Sequence, residues 1–120
     1  MSDPVDDIDW ITINQSADSL LQLIGSGGYT VTSVGRTEWL NLPEDIGTEP
    51  YCNSEGFNVE MSMLKMRVGI TMNNEDECYS NDNLLGFGNE IAGHPWGDWA
   101  VVGGGVAGAK TSAYGWIFVR

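Results

Sequence analysis

Basic residues are scarce in this chain. Five Lys and Arg stand against 17 Asp and Glu in 120 residues, which gives a net charge of −12. The imbalance is greatest in residues 1–60, where Arg36 is the only basic residue. Binding to nucleic acids or anionic lipids needs clustered Lys and Arg, so the charge excludes both partners. Cations, neutral glycans and basic protein surfaces remain as ligand classes.

Long apolar runs are also missing. No run approaches the ~20 residues that span a bilayer, and the first residues lack the basic region and apolar core of a signal peptide. We therefore expect no membrane insertion. The length fits one domain over residues 1–120, with an acidic arm at about residues 1–8.

Cysteine is nearly absent, since the chain has only Cys52 and Cys78. Their separation matches no metal-binding or redox pair, and no CxxC occurs. Two interpretations stay open at this point. A disulfide would close a loop worth about 3 kcal/mol, and two buried thiols are the alternative.

Histidine is rarer still, and His94 is the only one. A Ser-His-Asp or Cys-His site would have to use it, yet it precedes Pro95 in a predicted turn. Neither cysteine has a basic sequence neighbour that would lower its pKa. We expect a non-enzymatic protein, with a small hydrolase as a distant alternative.

What the chain does have is glycine and alternating apolar residues. Sixteen glycines indicate many turns and close backbone approaches. Apolar residues alternate from Phe57 to Met63 and again from Leu64 to Met72, which is typical of strands. The parity changes between Met63 and Leu64, and a β-bulge or a change of sheet there would account for it.

Shorter patterns complete the predicted architecture. They indicate a helix over Ser16–Ile24, capped by Ser16 or Asp18 and stopped by Gly25, with Leu20, Leu21 and Ile24 on one face. A strand is the alternative there. Further predicted strands cover 10–13, 29–34, 37–42, 84–88, 99–102 and 113–119, with a turn as the alternative over 84–88. Exposed loops are predicted over 43–56 and 73–83. This predicts an all-β fold with room for one short helix, either an antiparallel β-sandwich or a partly open barrel.

Residues 103–108 match the GxGxxG pattern of dinucleotide-binding sites. Such a site needs a following helix, a second parallel strand and an acidic residue about 20 positions later. No acidic residue follows Gly108 in this sequence. We interpret the segment as a glycine-rich loop or flat strand.

The loop 73–83 is dense in oxygen-bearing side chains. Calcium takes six to eight oxygen ligands, so Glu75, Asp76, Glu77 and Asp82 are the candidate metal ligands. The spacing is not that of an EF-hand. A solvated loop anchored by Cys78 is the alternative, and no other cofactor is expected.

Tryptophan is abundant, with five residues. Trp96 and Trp99 flank Asp98 and lie near His94, and an aromatic ring beside carboxylate and amide groups is typical of sugar binding. We predict these four residues, His94, Trp96, Asp98 and Trp99, as the ligand-binding set. Burial in the core is the alternative for the tryptophans, and we expect it for Trp39 and Trp116.

Several short strings resemble one class of proteins. They are Gly56-Phe57-Asn58, Arg67-Val68-Gly69-Ile70, Asn73-Asn74-Glu75 with Cys78, Leu85-Gly86-Phe87-Gly88 and Gly115-Trp116-Ile117-Phe118-Val119-Arg120. Together they are similar to small β-sandwich modules of bacterial surface proteins and of phage fibres or decorations, over about half of the chain. The resemblance implies an extracellular or virion-surface location and lectin-like binding of a glycan or protein surface. A structural subunit that forms homo-oligomers or larger assemblies is the alternative.

Overall fold

The computed structural model describes residues 9–25, 27–42, 50–61, 64–79, 81, 83–88, 90–91, 100–102, 111–113 and 116–120. The helices are α1 (Leu20–Gly25) and α2 (Arg36–Trp39). The strands are β1 (Thr30–Val31), β2 (Tyr51–Met61), β3 (Leu64–Asn73), β4 (Asn83–Phe87), β5 (Glu90–Ile91), β6 (Ala100–Val102) and β7 (Thr111–Ala113).

The strands join in one antiparallel sheet in the order β1-β2-β3-β4-β6-β7, and β5 pairs with the start of β3. The all-β class is therefore confirmed. Over the described residues the sheet is open, with β1 and β7 at its edges. The predicted strands over 84–88 and 99–102 correspond to β4 and β6.

The change of parity at Met63–Leu64 has a different cause from the predicted one. β2 ends at Met61, β3 begins at Leu64, and these two residues pair across the ladder. The chain therefore reverses here, and neither a bulge nor a change of sheet is involved. Across such a reversal, odd-numbered residues of β2 oppose even-numbered residues of β3, which produces the observed switch.

The first half of β2 lies where an exposed loop was predicted. The strand starts at Tyr51, whereas the prediction placed a loop through residue 56. Its register against β3 shifts between Tyr51 and Ser54, and Cys52 has φ 53°. A non-glycine residue in the left-handed region is uncommon and accompanies local bulges. Because of this irregularity, the start of β2 lacks the apolar alternation that indicates a strand.

The larger core cluster lies between β2, β3 and β4 and the N-terminal segments. Its buried members are Trp39, Phe57, Val68, Ile70, Met72 and Leu85. Half-buried side chains that pack against it are Ile11, Ile13, Leu20, Leu23, Ile24, Val34, Leu40 and Leu42. Trp39 is buried as predicted. The prediction for Trp116 is wrong, because 64% of its surface is exposed.

A second cluster is formed by Val59, Met66 and Leu84, all buried. Regular alternation would place Phe57 and Val59 on the same face, yet they belong to different clusters. Asn58 lies between them with φ 53°, outside the β region. This residue interrupts the alternation and divides the core.

Helix α1 is shorter than predicted and has a different cap. Ser19 Oγ accepts a hydrogen bond from the Gln22 backbone N–H (3.0 Å), and Gln22 Oε1 accepts one from the Asp18 N–H (2.8 Å). This reciprocal pair resembles a capping box and sets the helix start at Leu20. The predicted caps were too early, and Leu21 is exposed rather than on the apolar face.

Four predicted strands differ from the structure. Residues 37–42 contain the helical turn α2, and β1 covers only Thr30–Val31 of the predicted 29–34. Residues 10–13 form no strand, although Ile11 and Ile13 pack on the core. The strand predicted over 113–119 is wrong as well, because β7 ends at Ala113 and 116–120 has no regular structure.

Among the described helices, none is long and apolar enough to cross a bilayer.

Candidate functional site

The residues predicted from sequence fall into two groups. His94, Trp96, Asp98 and Trp99, as well as Asp82 and the glycine-rich segment 103–108, lie outside the described residues. Glu75, Asp76 and Glu77 are described, as are both cysteines. The second group lies at the end of the β2–β3 hairpin that is opposite the chain reversal.

Cys52 and Cys78 form a disulfide, with 5.4 Å between their Cα atoms. Cys52 lies in the irregular start of β2, and Cys78 lies in the loop that follows β3. The bond ties the loop to the strand beside it. We call residues 50–53, 73–79 and 81 the bridged end.

The loop of the bridged end is folded around one acidic side chain. Asn73 Nδ2 donates to the Glu77 carbonyl oxygen (2.6 Å) and to Glu77 Oε1 (3.2 Å). Glu77 Oε2 accepts a hydrogen bond from the Tyr79 N–H (3.1 Å). The Asn74 N–H donates to Asn73 Oδ1 (2.9 Å). These bonds satisfy the backbone of a tight acidic loop that has no ladder partner of its own.

Asn81 attaches the loop to strands β2 and β3. Its side chain is 5% exposed, and its Nδ2 donates to the Cys52 carbonyl oxygen (3.0 Å) and to Thr71 Oγ1 (3.2 Å). The irregular turn at Cys52 is thus held by a buried amide as well as by the disulfide. The disulfide and the hydrogen bonds of Asn81 together constrain the backbone of the bridged end.

The calcium prediction stays a prediction. Within the described part of the chain, no three His, Cys, Asp or Glu side chains gather as a metal site would require. Glu77 uses both carboxylate oxygens within the loop, while Glu75 and Asp76 are exposed.

The outer surface of the bridged end combines aromatic rings with amides and carboxylates. Tyr79 is 80% exposed and Tyr51 is 42% exposed. The exposed polar side chains beside them are Asn53, Asn74, Glu75 and Asp76. Because each tyrosine adjoins a bridged cysteine, their Cα atoms lie at most about 13 Å apart. The two exposed tyrosines therefore lie close together at the bridged end.

The composition of this surface resembles that of known recognition surfaces. Tyrosine offers a large amphipathic contact area at a small entropic cost, and asparagine offers adaptable hydrogen bonding, as in antibody loops. Neither cysteine is free to act as a thiol nucleophile. Among the described residues, a cavity lined by Thr12, Asn14, Ser33 and Val34 has a volume of about 50 Å³.

A second polar group, Asn58 with Arg67, was not predicted from sequence. Asn58 Nδ2 lies 2.9–3.1 Å from the carbonyl oxygens of Leu23, Ile24 and Gly28. Arg67 Nη1 donates to Asn58 Oδ1 (2.8 Å) and to the Ile24 carbonyl oxygen (3.0 Å). The pair satisfies the carbonyl groups at the end of α1, so its role is to attach the helix to the sheet.

Glu55 is the other polar group that sequence reasoning missed. Its Oε2 accepts hydrogen bonds from Thr32 Oγ1 (2.6 Å), the Val34 N–H (3.0 Å) and Trp39 Nε1 (2.8 Å). Its Oε1 accepts one from the Gly35 N–H (2.6 Å). This carboxylate holds the 32–39 segment, including α2, against β2. The segment therefore forms a helical turn where the strand over 37–42 was predicted.

The environment lowers the pKa of Glu55. Partial burial is the largest single influence and raises the pKa, but the hydrogen bonds from Thr32, Trp39, Gly35 and Val34 together outweigh it. Because the folded-state pKa of Glu55 lies below its unfolded pKa, the ionised carboxylate stabilises the fold fully at any pH above the unfolded pKa. That contribution is lost as the pH falls through the folded pKa.

We expect Glu55→Gln to lower the free energy of unfolding at pH 7 by about 1–2 kcal/mol, since it removes charge-assisted hydrogen bonds from a half-buried site. Urea unfolding between pH 7 and pH 3 measures this. As the pH is lowered, the free energy of unfolding of the variant should also fall less than that of the wild type. Glu60→Gln is the matched control, because Glu60 lies on the same strand, is 66% exposed and pairs with Lys65 at 3.8 Å. Equal losses in the two variants would contradict the assignment.

A local sequence signal exists for only part of this site. The Ser-x-x-Gln capping pattern was readable, but Glu55 and Asn58 act through residues 9 to 35 positions away. Comparisons of the chain with protein families, with curated proteins and with solved structures find no match.

Proposed function

We propose that this protein is a non-enzymatic recognition module that binds a glycan or a protein surface, lectin-like, at its bridged end. The observation that carries the proposal is the pair of exposed tyrosines, Tyr51 at the start of β2 and Tyr79 in the loop after β3. The Cys52–Cys78 disulfide and Asn81 hold this strand and loop together. A constrained loop loses little conformational entropy on binding. The residues predicted from sequence, His94, Trp96, Asp98 and Trp99, remain a second candidate contact set.

The charge narrows the ligand class. Glu75 and Asp76 are exposed at the bridged end, and the chain carries a net charge of −12. Sulfated or sialylated glycans would be repelled at this surface. Neutral glycans and basic protein surfaces are the expected ligands.

An extracellular or virion-surface location fits this proposal. Disulfides persist in oxidising environments, and the Cys52–Cys78 bond closes the exposed end of the hairpin. Expression in a reducing cytoplasm, followed by a thiol count, tests the location. A protein that keeps both thiols reduced and still binds its ligand would count against it.

We propose further that the sheet is one layer of a sandwich or partly open barrel. Ile70 and Thr71 are successive residues of β3, so their side chains point to opposite faces, and both are fully buried. Burial on both faces is the condition for a layered fold. An experimental structure with the Thr71 face open to solvent would contradict this.

The binding proposal is tested on a glycan array, with calcium and with a chelator, followed by titration of any hit. We expect Tyr79→Ala combined with Tyr51→Ala to weaken binding at least tenfold, because aromatic residues dominate such contacts. Trp10→Ala is the control, since Trp10 is 84% exposed but belongs to another segment. Binding that survives the double substitution but is lost in Trp96→Ala would move the site to the second contact set.

Assembly is the second candidate function, as a virion decoration, fibre or filament subunit that forms homo-oligomers. The specific observation is the exposure of successive large apolar residues over 116–119. Apolar surface of this kind marks interaction sites in soluble proteins.

A further inference from the structure

Segment 116–120 is the most apolar exposed stretch among the described residues. Trp116, Ile117, Phe118 and Val119 are 64%, 43%, 86% and 72% exposed. The segment has no regular secondary structure, and none of the strand pairings in the described part of the chain includes it. It follows shortly after β7, the edge strand of the sheet.

The charge distribution favours a second copy of the chain as its partner. All 17 acidic residues lie in residues 1–98, whereas residues 99–120 contain none and include Lys110 and Arg120. Two copies of an acidic protein repel each other wherever acids face acids. Residues 99–120 add no acidic side chain of their own to a contact between two copies.

The segment is complementary to itself in an antiparallel arrangement. With Phe118 on a two-fold axis, Ile117 of each copy lies opposite Val119 of the other. Trp116 then lies opposite Arg120, a pairing that suits a cation–π contact. Apolar and aromatic cross-strand pairs stabilise antiparallel ladders, and β-branched and aromatic residues favour strands.

We propose that segment 116–120 forms a strand with the same segment of a second copy, on a two-fold axis at Phe118. This symmetric contact rests on the second proposed function, assembly, and names the surface that carries it. Five residues a side bury less than the roughly 1,000 Å² of a stable interface. The dimer is therefore weak and forms in the micromolar range or above.

Sedimentation equilibrium at about 0.15 M salt, where charge repulsion is screened, tests the contact. The wild type should pass from one chain to two as its concentration rises. Phe118→Glu places two like charges on the axis and should raise the dissociation constant about a hundredfold or more. Trp10→Glu is the matched control, since Trp10 is equally exposed, and it should leave the dissociation constant unchanged.

Cross-linking tests the symmetry. Directly opposed residues in an antiparallel pair have Cβ atoms about 4.5–5.5 Å apart, close to disulfide geometry. Oxidised Phe118→Cys should run as a covalent dimer on a non-reducing gel, and Trp10→Cys should not.

Two outcomes overturn the proposal in different ways. A wild-type protein that stays monomeric at all concentrations removes both this contact and the assembly function. An oligomer that is unaffected by Phe118→Glu, and that gives no Phe118→Cys cross-link, removes this contact and leaves assembly through another surface standing.

Discussion

Replacing Gly69 with alanine is expected to lower the free energy of unfolding by about 3 kcal/mol or more, or to prevent folding. Gly69 pairs with Gly86 in the middle of the β3–β4 ladder. A Cβ at Gly69 would overlap the Leu85 carbonyl oxygen and Met66 Sδ, and would come within 2.7 Å of the Gly86 Cα. Two of these atoms belong to backbone of the central strands, which cannot move without breaking the ladder.

Gly25→Ala is the matched control. A Cβ there meets only the side chain of Leu21, Cδ1 at 3.0 Å and Cγ at 3.5 Å, which is flexible and exposed. Its effect on stability should stay within about 0.5 kcal/mol. Urea unfolding of both variants measures the difference. A Gly69→Ala protein as stable as Gly25→Ala would show that β3 and β4 do not pack as closely as described.

Removing the disulfide should have the next largest effect. In the chain-entropy account, a bridge between residues 26 apart stabilises the fold by about 3 kcal/mol. The double variant Cys52→Ser, Cys78→Ser should therefore unfold about 10 °C below the wild type. Thermal unfolding followed by circular dichroism measures the shift.

The reductant supplies the control for that experiment. Adding a dithiol to the wild type should lower its midpoint toward that of the double variant, and should leave the variant itself unchanged. If the reduced wild type and the double variant both unfold at the wild-type temperature, the loop is held by Asn81 and Glu77 alone, and the stability assigned to the bridge is wrong.

Much of the fold was predictable because it depends on alternation along single strands. β3, β4 and β6 were readable, since their apolar residues repeat or cluster over short stretches. Segment 37–42 was not. Its residues favour a strand, but the carboxylate of Glu55 on β2 accepts hydrogen bonds from Gly35 and Trp39 and holds the segment in a different conformation. Tertiary contacts of this kind leave no local pattern.

The candidate site was likewise only partly predictable from the sequence. Loop 73–83 was recognisable from its polar composition, and Cys52 and Cys78 were recognisable as a pair. The tyrosines were not singled out, because their exposure depends on how the disulfide folds the loop against β2. Trp116 was predicted to be buried because tryptophan usually lies in a core, but no sequence pattern can show whether the same chain or a second copy supplies the covering surface.

The β2–β3 hairpin is closed at both ends, by the chain itself between Met61 and Leu64 and by the bond between Cys52 and Cys78. Residues 52–78 thus form a covalent ring. Hairpins usually fray from their open end, and this one has none. A single proteolytic cut anywhere within the ring would leave the two pieces joined, so the protein would keep its mass on a gel until a reducing agent was added.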